Sequence, residues 1–127
     1  MKVYFFLAFI CCSCSSIKKN TLADLPCNEN MIFKEQFIRH IKTVDDFMSI
    51  VSKTDFKDID EYERVVTEQK VAEFNSCLIF ISKYTYVSFE SMANYNGSYP
   101  IGIYEKDKEG WLKWYEGNKC NNIQFKK

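Results

Sequence analysis

Cys77-Leu78-Ile79-Phe80-Ile81-Ser82-Lys83-Tyr84-Thr85-Tyr86-Val87-Ser88-Phe89 is the stretch on which the fold turns. Read in steps of two, its β-branched and aromatic residues make two strands joined at Ser82-Lys83. That dipeptide lacks the glycine or asparagine that tight hairpins prefer. Read in steps of three and four, it continues an apolar series from Val71 through Phe74, Leu78 and Ile81, with Cys77 and Tyr84 alongside. This second reading gives a buried helix to about Tyr84. Ser88 then caps another helix that runs to Asn96 and is stopped by Gly97. The expected class is all-α, a small bundle of about four to six helices, with α+β and a hairpin in 77–89 as the alternative.

Helical spacing also dominates upstream. Phe33, Phe37, Ile38 and Ile41 share one face. Thr43-Val44-Asp45-Asp46 then has the form of a fresh N-cap with acids in the first turn. Val44, Phe47, Met48 and Val51 complete an amphipathic helix behind it. A third stretch starts near Asp58 or Asp60, with Ile59, Tyr62, Val65 and Val66 on one side, and its pattern resumes after Thr67. One long helix and two with a break fit this region equally. Asn96 to Gly102 is a loop by composition, and Asp107 is placed to cap a final helix carrying Trp111, Trp114, Tyr115 and Asn118 along one stripe.

The whole chain has 127 residues, enough for one ordinary domain. Eleven Phe, 8 Tyr and 2 Trp supply a core, while only 4 Gly and 2 Pro argue against a loop-rich architecture. Charge is balanced at 17 basic and 17 acidic residues, so nucleic acid is set aside as a partner. The domain plan is a leader over 1–13, a tether over 14–31 and a single helical domain over 32–127.

The leader opens with Met1-Lys2, continues with the apolar Val3 to Ile10, and ends in Cys11-Cys12-Ser13-Cys14-Ser15-Ser16. Its apolar run is far short of the ~20 residues that span a bilayer. Small residues closing on a cysteine directly after such a core resemble the lipobox of bacterial lipoproteins. The resemblance implies cleavage before Cys14 and attachment of a thioether-linked diacylglycerol there, with Cys12 as the alternative. Acyl chains contribute about 0.8 kcal/mol per buried CH₂, so two or three hold a soluble domain on a membrane. No acidic run follows Cys14 of the kind that some bacteroidete-type lipoproteins carry for surface export. The expected address is the bacterial cell envelope, periplasm-facing. Separately, Trp111-Leu-Lys-Trp-Tyr-Glu-Gly-Asn-Lys119 resembles the closing helix of small HEAT-like helical-repeat domains, over roughly Tyr99 to Cys120.

Candidate chemistry is sparse. The lone histidine, His40, builds no zinc site and reads as a surface or half-buried helical residue. The acidic run from Asp55 to Glu63 fails the calcium-loop template, because Lys57 and Ile59 fall at ligand positions and Asp60 where glycine is needed. It reads as a helix start, or as an acidic docking surface. No nucleophile elbow appears, so no catalytic residue, metal or cofactor is assigned. The aromatic set Tyr95, Tyr99, Tyr104, Trp111, Trp114 and Tyr115 reads in two ways: a platform for a sugar or partner protein, or a seam packing the last helix onto the core. Of the body's three cysteines, Cys77 sits on an apolar face as a buried free thiol, which leaves Cys27 and Cys120 as the candidate disulfide. The functional expectation is a membrane-anchored, non-catalytic module that binds a protein, an immunity protein being one such role. The alternative is small-ligand or glycan binding through the Tyr/Trp set.

Overall fold

The computed structural model describes residues 26–53, 56–93, 99–100 and 102–127. Its longest element, α1 (Met31–Val51), begins where the Asn30 side chain accepts the Phe33 N–H at 3.1 Å. The helix runs without a break through Thr43, where a second start was expected. Thr43-Val44-Asp45-Asp46 has cap chemistry, but Phe33, Phe37, Ile41, Val44 and Met48 form one stripe in phase, and all are buried. Burying a continuous stripe outweighs a local capping preference. Ile38, expected on this face, lies beyond its edge and is exposed.

The region after α1 resolves into two helices. Asp58 caps α2 (Ile59–Val65) through the Glu61 N–H at 2.8 Å, and Asp60 and Glu61 sit in its first turn. The acidic run is thus a helix start over its described part. Nothing in α2 is fully buried, and Ile59, expected on an inner face, is exposed. Val66 breaks the helix, and Thr67 caps α3 (Glu68–Ser82) by accepting from Lys70 N–H.

In α3 the stretch that decides the fold class is helical. Cys77, Leu78 and Ile81 are buried, whereas Ile79 is 55% exposed, which is the signature of a 3.6-residue period rather than of alternation. α3 packs against α1, with Phe47 and Phe74 stacked at 4.4 Å between ring centres. A turn follows, closed by the N–H groups of Tyr84 and Thr85 on the Ile81 carbonyl. No strand occurs among the described residues, and the fold is an all-α small bundle.

The one-turn α4 (Phe89–Met92) is shorter than the helix expected to reach Asn96. Ser88 stands at its N-cap without a side-chain capping bond, and the expected stop at Gly97 lies outside the described residues. The last helix, α5 (Ile103–Asn118), starts four residues before the expected cap. Gly102 supplies the turn with φ of 84°, a left-handed conformation open to glycine, and the Glu105 carboxylate accepts its N–H at 2.7 Å. Asp107 faces inward instead. It accepts the Ser88 N–H at 2.8 Å and the Tyr99 O–H at 3.1 Å, so it pins the 85–88 segment to α5.

Both ends of the body meet. Cys27 and Cys120 form a disulfide with Cα atoms 4.5 Å apart. Asn28 pairs with Asn121 in an isolated parallel bridge, Asn30 donates to the Ile123 carbonyl at 2.8 Å, and Tyr115 donates to Glu29 at 2.5 Å. The last residues of the expected tether are therefore bonded to the helical body. The C-terminal tail continues across it, with Phe125 against Phe33 and Lys126 N–H on the Tyr84 hydroxyl.

Candidate functional site

The aromatic set is brought together, but inside. Tyr99, Tyr104 and Tyr115 are buried, Trp111 is 0% exposed, and Trp114 is half-buried against the same core. Their polar tips are occupied within the chain. Trp111 Nε1 donates to the Tyr86 carbonyl at 2.7 Å, and Tyr104 donates to Asp45 at 2.6 Å. Burial, then the neighbouring carboxylates Asp107, Asp45 and Glu29, push the phenols of Tyr99, Tyr104 and Tyr115 up, so all three stay protonated donors. Conversely, the Lys108 ammonium and the Tyr104 hydroxyl hold the Asp45 carboxyl below its ordinary value. Of the two readings of this set, the described rings fit the seam, between α5, α1 and the 84–88 turn, rather than an exposed platform. Tyr95 lies outside the described residues, as does Cys14.

Among the described residues, two open surfaces stand out that the sequence reading missed. On the outer side of α1, Met31, Ile32 and Ile38 are exposed beside one another over a shallow hollow of about 670 Å³ edged by Glu35, Arg39 and Lys42. Ile32 alone is 68% exposed. The signal was available, since Met31, Ile38 and Lys42 recur at helical spacing opposite the Phe33–Phe37 stripe, but Met31 had been assigned to the tether. The second surface is a cleft of about 310 Å³ between α5 and the 85–88 segment, with Tyr86 at its edge.

Cys77 is the free thiol among the described cysteines, and it is buried. His40 Nδ1 lies 3.2 Å from its sulfur, and the His40 ring lies 4.1 Å from that of Phe80, tilted against it. A Cys–His pair suggests a nucleophile, but the environment opposes one. Burial, then the nearby Glu73, raise the Cys77 thiol, and burial, then Arg39, lower His40. Both shifts favour the neutral pair rather than thiolate and imidazolium. No three His, Cys, Asp or Glu side chains among the described residues group as metal ligands.

This pair makes stability pH-dependent. The unfolded chain protonates His40 at its ordinary 6.5, and the folded chain only at lower pH. The stabilisation is therefore present above 6.5 and lost as pH falls through the lower folded value. Urea midpoints should fall between about pH 7 and about pH 5, and His40→Gln should flatten that slope. Because the chain has one histidine, a slope that the substitution leaves unchanged would disprove the assignment. Compared with protein-family models, curated proteins and solved structures, the chain finds no match.

Proposed function

We propose that this chain is exported, cleaved before Cys14, acylated there, and held in a bacterial envelope, facing the periplasm, as a non-catalytic module that binds a partner protein. Neutralising an antibacterial effector is one role of that kind. The leader supports the address: a basic start, a short apolar core and a lipobox-like Cys11-Cys12-Ser13-Cys14. Among the described residues no helix is long and apolar enough to cross a membrane.

The observation that carries protein binding is the outer face of α1. The core is already filled on the opposite side of that helix, yet Met31, Ile32 and Ile38 stay in solvent. Adjacent exposed aliphatics with charged edges are the make-up of an interface centre and rim. The buried Cys77 thiol, held neutral beside a half-buried neutral His40, supports the non-catalytic part.

Two measurements test this reading. Intact mass of the protein taken from bacterial membranes should match loss of residues 1–13 plus acyl chains. Affinity capture from solubilised envelopes should then recover one stoichiometric protein, and Ile32→Glu with Ile38→Glu should abolish that recovery. A clean mass without lipid removes the anchor, and recovery unchanged by the double substitution removes the α1 face.

A further inference from the structure

We propose that the cleft between α5 and the 85–88 segment binds one ring of a neutral saccharide. Tyr86 provides the stacking face. It is 74% exposed, whereas Tyr84, Tyr99, Tyr104 and Tyr115 are all buried. Its backbone is nonetheless fixed from both sides: the Tyr86 carbonyl accepts Trp111 Nε1, Val87 next to it is buried, and the Ser88 N–H is held by Asp107. An aromatic ring on a pinned backbone beside a hollow offers a flat apolar face to the C–H side of a sugar at little entropic cost.

The rest of the cleft supplies polar partners. Thr85 and Ser88 carry hydroxyls, Lys106 an ammonium and Asp107 a carboxylate. The Asp107 carboxylate is oriented in advance by the donors it takes from Ser88 and Tyr99. A carboxylate fixed in this way accepts hydrogen bonds from sugar hydroxyls, and the ammonium donates to them. The two charged groups lining the cleft have opposite signs, so it favours a neutral polyol over an anion or a cation. At about 310 Å³ it has room for one ring.

Gly110 lines the cleft on the α5 side. It stands in the interior of α5, where glycine weakens a helix relative to alanine. A Cβ built there meets nothing within 4 Å, so no close approach inside the chain requires its absence. What the missing side chain leaves is space in the cleft. The cleft shares no residue with the outer face of α1, so its occupancy does not depend on a protein partner there.

The test is calorimetric titration of the full chain, purified in detergent, with three probes at millimolar concentration: the N-acetylglucosamine trimer, cellotriose and maltotriose. Saturable binding of at least one is expected, weakened by at least about tenfold in both Tyr86→Ala and Gly110→Leu. Both positions are exposed, so melting temperature should hold or rise in Gly110→Leu and stay unchanged in Tyr86→Ala. Absence of saturable binding for all three probes, or binding that both variants leave intact, overturns the proposal.

Discussion

Opening the Cys27–Cys120 bond, by Cys27→Ser or by a reductant, should lower the unfolding free energy by about 4–5 kcal/mol. The size follows from the length of chain the bond encloses. The two cysteines are 93 residues apart, so the bond removes a large loop entropy from the unfolded chain. Total stability of such a domain is only about 5–15 kcal/mol, so this one bond supplies a large part of it. The loss also loosens what lies beside the bond: the Asn28–Asn121 bridge, the Tyr115–Glu29 hydrogen bond and the Asn30–Ile123 hydrogen bond. Urea unfolding with and without reductant measures it. Cys120→Ser should match Cys27→Ser, and reductant should do nothing further to either. A shift of well under about 1 kcal/mol would mean that the bond does not constrain the chain as described.

Trp111→Ala should cost about 3–5 kcal/mol, the range for emptying a large aromatic site in a core. Trp111 is 0% exposed, with Tyr99 and Tyr104 edge-on at ring separations of 6.2 and 6.3 Å. Its loss also strands the Tyr86 carbonyl, which takes the indole N–H. Trp111→Phe separates the two contributions, since it keeps most of the ring and removes the donor at about 1–3 kcal/mol. Thermal or urea melts of both variants beside Tyr86→Ala read the ranking directly. Tyr86→Ala should melt like the parent, because that ring is mostly in solvent. If Trp111→Ala instead retains full stability, the aromatic seam is not what holds α5 to the body.

How far these features were legible in the sequence depended on whether one period was enough. α1 and α3 were readable from Phe33, Phe37, Phe74 and Leu78, whose spacing admits a helix and whose size demands burial. The supposed break at Thr43 failed because cap chemistry is local, whereas the stripe from Ile41 to Val44 crosses the site in phase. Asp107 failed for a similar reason. A carboxylate ahead of an apolar run looks like a cap, and only the tertiary fold shows that it reaches Ser88 and Tyr99. The disulfide came from parity, three cysteines in the body with Cys77 on an apolar face. The aromatic set was seen as a group, but a stripe of Trp and Tyr has the same spacing whether it faces a core or a ligand. The cleft beside Tyr86 was illegible because exposure is set by what fails to pack. Tyr86 and Tyr84 differ by two residues in the same turn, and only the placement of α5 decides which is covered.

The junction of Cys27 with Cys120 has a mechanical meaning as well. The bonded pair encloses α1 to α5, and the chain enters at Cys27 and leaves at Cys120. A pull between the two chain ends is therefore carried across the sulfur–sulfur bond. The load enters at Cys27, leaves at Cys120, and bypasses the five described helices between them. Under tension the bundle hangs beside the line of force rather than forming part of it, and it stays folded until that one bond is reduced.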